Sequence, residues 1–578
     1  MSIGRRNPLS GRSGFALEAT LMLLILLTVL ISAGLAATMM VQRSSGVDYR
    51  GARATYAAES GADHVMSQLE GDIKDGSISD AELAALTPPA IAGFNVTVRG
   101  ARVGAPVPKT IASGPYTGLF GLNQQLDITV HAEDPRANRA DAVVSVNAQS
   151  IPLFQFGVFY EEDLEIHNGP PMTFAGWVHT NGNLYLSSDN TFFQDLITTP
   201  GNVYWDRKAY ADRRNGVWIN NAGAVPVNLT FDSRTKPVPN DFRAASQASF
   251  DGRLMTSAHG VTPLRLPLPA GMPAIELVRP RAGGDAADVR QVKESWLADF
   301  HVTVDLNQLA AVCVGPGALQ YLARPNGRQT PDVAACPLIF SGKPDAFLEG
   351  REDIGVDLLD IDVGALENWI AANAAGRRVD ILYVTFTNAN PGFPTSDYPA
   401  VRLVNGSSLQ YPLTVATDRP VYVQGDYNSG VWQPAAILSD AVTFLSAGWN
   451  DGAHAAFPAN PTASTGEMWV FAAIAAGHSA TPCDYQVVGC AGQHYGGGLE
   501  NFPRFLERWS GVQMHYRGSL VSLFQSQAAS RNEWSWRHYY DPPSRDWQFD
   551  TRFRDPTQLP PGTPVTATVS QIAFRPVY

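Results

Sequence analysis

The sequence has little cysteine and little charge for its length. Four of its 578 residues are Cys, 17% are Asp, Glu, Lys or Arg, and the formal net charge is −12. No basic run extends beyond Arg5 and Arg6, so the chain lacks the positive field that nucleic-acid-binding proteins use. Hydrophobic residues make up 45% of the chain, which is typical of a folded protein. We therefore expect a large core and no nucleic-acid partner.

Signature motifs of catalysis are also absent. The sequence contains no GxSxG, HExxH or Walker A motif, each of which marks a class of active site. It also lacks a CxxC pair, so nothing in it predicts a zinc site. We expect no catalytic residue, no cofactor and a role other than that of an enzyme.

The four cysteines fall into two local pairs. Cys313 and Cys336 would close a longer loop, and Cys483 and Cys490 a short one. Disulfides form in exported proteins and are rare in the cytosol. We predict two disulfides if this region is exported, with plain buried thiols as the alternative.

Two groups of polar residues are candidate Ca²⁺ ligands. They are Glu161, Glu162, Asp163 and Glu165, and the pair Asp426 and Asn428. Neither group has the ligand spacing of an EF-hand loop, and a solvated acidic loop explains the first group more simply. Calcium is therefore a weakly supported expectation.

Some other polar and aromatic features have ordinary structural explanations. His167 and His179 are typical of turn or surface histidines, and Gly496–Gly498 of a turn. The aromatic stretch 536–550, with Trp536 near its start, favours buried packing over a sugar-binding platform.

An apolar run of about 27 residues, 15–41, lies close to the N-terminus. It exceeds the roughly 20 residues that a helix needs to cross a bilayer. Arg5, Arg6 and Arg12 precede it, which predicts a cytoplasmic N-terminus and an exported remainder. A secretory signal peptide is the competing interpretation, but the apolar run is too long for one.

The helical pattern continues beyond the membrane-length run. Small or apolar residues recur with helical spacing at Val47, Ala54, Ala58, Ala62, Val65 and Leu69. One helix is therefore predicted from about Phe15 to Leu69, about 80 Å long. A single acid, Glu18, lies in its apolar half, where a charge needs a partner or a task.

The stretch Ser13-Gly14-Phe15-Ala16-Leu17-Glu18 resembles the N-terminus of type IV pilins. The resemblance implies cleavage by prepilin peptidase after Gly14, methylation of Phe15, and pairing of Glu18 with the N-terminal amine of a neighbouring subunit. The family's acid is usually the fifth residue after the cut. Glu18 is the fourth if the cut follows Gly14 and the fifth if it follows Ser13. Residues 54–62 (ATYAAESGA) resemble the stretch that follows the membrane helix in minor pilins of the PilX type.

The remainder of the sequence favours β-structure. Gly (51) and Pro (41) are abundant, and alternating segments at 94–100, 125–133 and 141–150 predict a small sheet on the helix. From residue 151, short strand-like segments separated by Gly, Asn and Asp turns favour a β-solenoid, and a β-sandwich stays open. Residues 176–183 and 421–428 resemble motifs in the bodies of large exported pilin-like proteins.

Together these features predict an α+β, mostly β protein. The expected segments are a leader (1–14), a helix (15–70), a small pilin-like β domain (71–150) and a large exported body (151–578) with insertions at about 250–400.

The resemblance implies a minor pilin or pseudopilin in the bacterial inner membrane. Because a body several times larger than the helix would crowd a filament made only of itself, we expect the subunit at or near a filament tip, in assembly and adhesion. Its expected partners are other pilin subunits, the assembly platform, prepilin peptidase and membrane lipid. The alternatives are a membrane-anchored enzyme acting on polysaccharide and a structural envelope protein.

Overall fold

A single long helix, α1 (Gly14–Asp72), opens the described part of the chain. The structure is a computed structural model that describes residues 14–73, 78–112, 114–269, 271–323, 334–373, 379–389, 398–456, 461–490, 495–529 and 539–577. The predicted continuous helix is confirmed, because no Pro interrupts residues 15–69. With a rise of ~1.5 Å per residue, α1 is about 88 Å long.

A four-stranded antiparallel sheet packs on the C-terminal part of α1. In spatial order its strands are β1 (Asn95–Thr110), β2 (Phe120–Glu133), β3 (Arg139–Pro152) and the last strand of the chain, β33 (Val565–Val577). A short helix, α2 (Asp80–Ala85), precedes β1 and carries a capping box between Ser79 and Glu82. The alternating segments at 94–100, 125–133 and 141–150 all lie in strands of this small sheet or at the start of one.

The sheet and the second half of α1 share one apolar core. The helix contributes small side chains, Ala54, Ala58 and Ala62, followed by Val65 and Leu69, all of them buried. The prediction for Val47 is wrong, because Val47 is 55% exposed. The buried stripe begins only at Ala54, where the helix meets the sheet.

The body begins with short strands that run repeatedly over three faces. These strands are β4 (Val158–Tyr160), β5 (Leu164–Ile166), β6 (Met172–Phe174), β7 (Val178–Thr180), β8 (Leu184–Leu186), β9 (Ser188–Phe193), β10 (Ile197–Thr198), β11 (Val203–Tyr204) and β12 (Asn215–Asn220). The chain continues through β13 (Pro226–Asn228), α3 (Pro239–Phe250) and β14 (Leu254–Met255).

The second part of the body mixes helices with longer strands. It starts with α4 (Ala287–Val292), α5 (Glu294–Leu297), β15 (Phe300–Asp305), β16 (Leu319–Ala323), α6 (Cys336–Ile339), β17 (Phe340–Lys343), β18 (Leu348–Glu349), β19 (Ile354–Gly355), β20 (Asp357–Asp362) and α7 (Val363–Asn373). It ends with β21 (Ile381–Thr387), β22 (Pro399–Val404), β23 (Leu413–Thr417), β24 (Val421–Gln424), β25 (Ala435–Ser439), β26 (Val442–Leu445), β27 (Met468–Phe471), β28 (Ala473–His478), β29 (Pro503–Phe505), β30 (Gln513–Gly518), β31 (Leu520–Gln525) and β32 (Ser544–Phe549).

The largest sheet of the body has eleven strands, in the order β14-β10-β7-β4-β31-β28-β25-β23-β21-β15-β16. Its pairs are parallel except for β15 and β16. Starting at β4, the next strands of this sheet along the chain are added one after another up to β14, at one end of the sheet. The chain then crosses to β15 and β16 at the opposite end, and the later strands are added back towards β4, ending with β31. Val158 of β4 therefore lies opposite Leu520 of β31, although the two residues are far apart in sequence.

The other faces follow the same stacking. One carries the parallel set β5-β8-β11 and a sheet of β17-β20-β22-β24-β26-β29, and the third carries β27-β30-β32 and β6-β9-β12-β13. Each sheet formed by the described strands has two ends, so none of them closes into a barrel. The chain is thus a long apolar helix followed by a β-rich body of many sheets with some helices.

Candidate assembly interface

The first half of α1 is an apolar surface without a partner in the chain. Every large apolar side chain from Leu17 to Val41 is more than half exposed. Among the described residues, α1 is the one helix long and apolar enough to cross a membrane, and its apolar window is not buried at all. An exposed apolar surface of this size marks a site that a membrane or a protein partner covers.

The predicted processing and assembly residues lie at the start of this surface. Gly14 begins α1, Phe15 follows it, and Glu18 is exposed one turn further along. Arg5, Arg6, Arg12 and Ser13 lie outside the described residues. Within the described part of the chain, no ion pair reaches Glu18. The roles of Gly14, Phe15 and Glu18 stay predictions.

The second half of α1 is fixed to the sheet by close packing. A Cβ placed on Gly61 would lie 2.6 Å from Cγ1 of Val130 and 3.3 Å from Cγ1 of Val96. Small residues on the helix thus let its backbone approach the sheet directly, which leaves little room for the two to slide.

The sheet in turn holds both ends of the body. β33 pairs antiparallel with β3, and Pro152, the last residue of β3, lies opposite Val565, the first residue of β33. The amide of Leu153 donates to the carbonyl of Pro564 at 2.8 Å. The body is thus an insertion between two neighbouring strands of the small sheet. Sequence reasoning missed this strand, although the alternating apolar residues of 565–574 signal one.

Both predicted cysteine pairs form disulfides. Cys313 is bonded to Cys336 and Cys483 to Cys490, with Cα–Cα distances of 5.5 and 5.9 Å. The second bond closes a loop that packs on the outer side of β8, where Asp484 accepts hydrogen bonds from Tyr185 and Arg234. The disulfides therefore stiffen loops on the body and lie outside the small sheet.

The acidic residues after β4 are each engaged by a different protein group. Glu161 accepts a hydrogen bond from Asn181 at 2.7 Å, Asp163 pairs with Lys208 at 2.9 Å, and Glu162 accepts from Gln525. Their carboxylates do not converge, and no described group of three or more His, Cys, Asp and Glu is arranged to hold a metal.

Glu165 lies apart from its acidic neighbours, in the interior. It is buried and accepts from the hydroxyl of Thr481 at 3.1 Å. Burial raises the pKa of Glu165, and likewise that of Glu161, to about 7. Glu165 is thus a buried acid of the body, held where coils from distant parts of the chain meet.

The second candidate calcium pair is part of a turn between coils. Asp426 accepts from the backbone amide of Trp469 at 2.9 Å. The side-chain amide of the buried Asn428 donates to the carbonyls of Gln433 and Phe471, at 2.7 and 2.8 Å. The positive φ of 55° at Asn428 suits asparagine, which tolerates the left-handed region. These contacts give both residues a structural task, and calcium binding stays a prediction.

The two histidines do not stack on each other. His179 is fully buried, and its ring nitrogens lie 2.8 Å from Thr198 and 2.9 Å from Asn181. His167 lies near the surface, with Nδ1 at 2.6 Å from the carbonyl of Ser187. The surface prediction is therefore wrong for His179, because both ring nitrogens have partners that make its burial tolerable.

The aromatic tail is mostly core. Tyr540, Trp547 and Phe549 are buried, as expected. Trp536 lies outside the described residues. Gly496, Gly497 and Gly498 lie in a loop before a short 3₁₀ helix. This part of the chain closes the body.

Comparisons with known proteins give one structural match. No protein-family model and no curated protein match the sequence. The chain is similar to the competence-associated pilin ComZ from Thermus thermophilus, at 10% sequence identity and a TM-score of 0.26. The match covers 91% of this chain and 98% of that chain.

Proposed function

We propose that this chain is a minor-pilin-like subunit of a type IV pilus or a type II secretion-type pseudopilus. The observation that carries the proposal is the division of α1. Its first half is apolar and exposed, and its second half is packed on an antiparallel sheet. The exposed apolar half of such a helix can be covered by membrane lipid before assembly and by the helices of other subunits after it. The body then lies outside the inner membrane, in agreement with the basic residues that precede the helix.

We further propose that the subunit acts at or near a filament tip. The body, inserted between β3 and β33, is several times larger than the helix that carries it. Many such bodies would clash along a tightly packed filament, because protein interiors and interfaces allow little free volume. One copy at the tip avoids the clash and presents the body for priming of assembly or for adhesion.

The body is inferred to be a β-solenoid that serves recognition and not catalysis. Its strands visit three faces in turn and pair in parallel with the next coil. The alternative, an enzyme that acts on polysaccharide, would need two carboxyl groups about 5 to 10 Å apart and within reach of the substrate, as in retaining and inverting glycosidases. An activity assay of the purified full chain on polysaccharides, with product release as the readout, tests this part of the proposal.

The N-terminal residue and intact mass of the protein test the pilin-like role. We expect loss of residues 1–14 and a methylated Phe15 in membranes that contain prepilin peptidase, and an intact Met1 in membranes without it. The measured mass also distinguishes a cut after Gly14 from one after Ser13. Cleavage near Ala36 or Ala37, or none at all, would contradict the proposal and leave α1 as a signal peptide or a simple anchor.

Glu18→Gln tests the assembly step separately from membrane insertion. We expect the variant to enter the membrane normally and to be lost from sheared filaments, because the neutral amide cannot pair with a neighbour's amine. Glu70→Gln is the matched control, since Glu70 is an exposed acid on the packed half of the same helix. Equal recovery of both variants in filaments would remove the proposed role of Glu18.

A further inference from the structure

An open depression lies on the outer face of the body, across β9, β12 and β13. Two aromatic side chains, Phe192 of β9 and Trp218 of β12, lie opposite each other in register. Their rings are nearly parallel, with an interplanar angle of 10° and centroids 6.4 Å apart. Both side chains are only partly buried, whereas Thr191, Phe193, Val217 and Ile219 beside them point into the core.

A β-bulge shapes the depression. The register between β9 and β12 shifts between Asn215 and Val217, where two residues of β9, Asp189 and Asn190, lie opposite the single Gly216 of β12. A Cβ on Gly216 would lie 1.8 Å from the carbonyl oxygen of Asp189, so only glycine permits this close approach. The resulting hollow has a volume of about 710 Å³ and is closed on one side by Pro226.

Polar groups surround the two rings. Asn190 and Asn215 are exposed in the hollow, and among the described residues neither side-chain amide forms a hydrogen bond. Asp189 is also exposed there, paired with Arg214 at 2.7 Å. The hollow thus offers amide donors and acceptors and a carboxylate beside two aromatic faces.

We propose that this depression binds a saccharide. One face of a pyranose ring carries C–H groups, which pack on the electron-rich face of an aromatic ring, while its hydroxyls take hydrogen bonds from amides and carboxylates. The site holds both kinds of group within one hollow. A protein partner fits it less well, because the apolar surface is limited to two rings and a proline among polar groups. The proposal holds whether or not α1 assembles into a filament.

The same face of the body extends the site along the stack. Thr173 of β6 lies opposite Phe192, β6 packs beside β32, and β32 pairs with β30 and β30 with β27. At the far end Trp469 stacks on His515, with ring centroids 3.5 Å apart. The strands β6 and β32 contact each other but belong to different sheets, so Trp218 and Trp469 lie on neighbouring sheets. The main contact of the saccharide is at Trp218.

The test is binding of the full chain, in detergent micelles, to a printed array of plant, microbial and animal oligosaccharides. We expect at least one oligosaccharide to be retained, and Trp218→Ala to weaken that binding by about tenfold or more. Trp218→Phe should keep most of the binding because it keeps a ring face, and Trp218→Leu should lose it. Retention of no saccharide, or equal binding by wild type and Trp218→Ala, overturns the proposal.

Two further variants distinguish a loss of binding from a loss of folding. Asn190→Ala combined with Asn215→Ala leaves both rings in place and should weaken binding several-fold. Tyr56→Ala, which removes an aromatic side chain that is 69% exposed on α1, should leave binding unchanged. Thermal unfolding followed by circular dichroism checks each variant. A leucine variant that binds as well as the phenylalanine variant would point to a general apolar contact and would also overturn the proposal.

Discussion

The unit formed by α1 and the small sheet differs from the body in how its strands find partners. In the small sheet, β1, β2 and β3 are consecutive and antiparallel, and only β33 comes from far along the chain. In the body, parallel pairing joins strands from distant segments, as β4 and β31 show. Nearby antiparallel strands need only short turns, whereas parallel coils need long connections. The small unit therefore depends mainly on local sequence, and the body on contacts across the whole chain.

The ion pairs of the small unit and of the body also differ in how far they are exposed to solvent. In the ion pair of Arg102, a residue of β1, with Asp80, the side chain of Asp80 is 87% exposed and that of Arg102 is 31% exposed. In the body, the guanidinium of Arg402 is only 3% exposed and contacts both Asp360 and Asp451, each through two hydrogen bonds. Arg402 of β22 has no solvent-exposed partner of this kind in these two pairs, because Asp360 of β20 and Asp451 enclose its guanidinium. The body should be much more sensitive than the small unit to the loss of a charge.

The largest effect is expected from Arg402→Met. This change leaves the carboxylates of Asp360 and Asp451 without their main partner, and breaking a buried ion pair costs about 3–5 kcal/mol. Burial raises the pKa of Asp451, but Arg402, together with Trp449 and Lys343, holds it below its ordinary value, so the loss of Arg402 should raise it. Urea unfolding of the full chain measures the loss. Arg402→Lys keeps the charge but not the planar guanidinium, so its free energy of unfolding should lie between those of the wild type and Arg402→Met. A loss below about 1 kcal/mol in Arg402→Met would mean that these ion pairs are not needed for stability.

A second test uses the pH dependence of Glu165→Gln. Burial raises the pKa of Glu165 from 4.5 to about 7, so the folded protein holds a proton that the unfolded chain releases. This stabilising contribution is complete below pH 4.5 and is lost as the pH rises through about 7. Relative to the wild type, the free energy of unfolding of the variant should therefore rise by about 1–3 kcal/mol between pH 5 and pH 8.

The matched control for that test is Glu70→Gln, whose side chain is exposed on α1. Its offset from the wild type is subtracted from that of Glu165→Gln at each pH. Histidines such as His179, whose pKa is lowered to about 4 by burial, are common to all three proteins and cancel in the comparison. A constant offset between wild type and Glu165→Gln from pH 5 to pH 8 would contradict the assignment.

A smaller effect distinguishes two glycines on α1. Gly61→Ala places a methyl group against Val130 and should destabilise the small unit by about 1–3 kcal/mol, less about 1 kcal/mol regained from helix propensity. Gly51→Ala meets nothing within 4 Å and should stabilise the helix by up to about 1 kcal/mol. Thermal unfolding of the two variants measures both. A change of the same sign at both positions would show that the close approach at Gly61 does not constrain the packing.

The smallest effect is expected from Arg102→Ala in the small unit. The Asp80 side chain of this pair is 87% exposed, and solvent-exposed ion pairs contribute about 0–1 kcal/mol. Unfolding at low and at high salt should differ little between wild type and variant. A loss comparable to that of Arg402→Met would remove the contrast between the two regions.

Local patterns made much of the fold predictable. The long helix follows from an apolar run that continues into helical spacing without a Pro, and β1 to β3 follow from alternation. The stripe fails at Val47, because periodicity shows which face is apolar but not where the sheet begins to cover it. The burial of His179 could not be predicted, because its partners Thr198 and Asn181 are brought to it by stacking of coils.

The candidate sites show the same division. Gly14, Phe15 and Glu18 are visible as a motif because their spacing along one helix carries the information. The hollow at Trp218 has no motif, since Asp189 and Gly216 meet only through the bulge between β9 and β12.

Residues close together in the chain were enough to predict the long helix, its apolar half and the strands β1 to β3, and they left the four cysteines open between two disulfides and buried thiols. The tertiary structure decided that β33 closes the small sheet, that β4 meets β31, and which charges and rings share a face. Those outcomes depend on pairing between strands that are far apart in the chain. Register and burial are properties of both paired strands together, so they cannot be read from one short stretch of sequence.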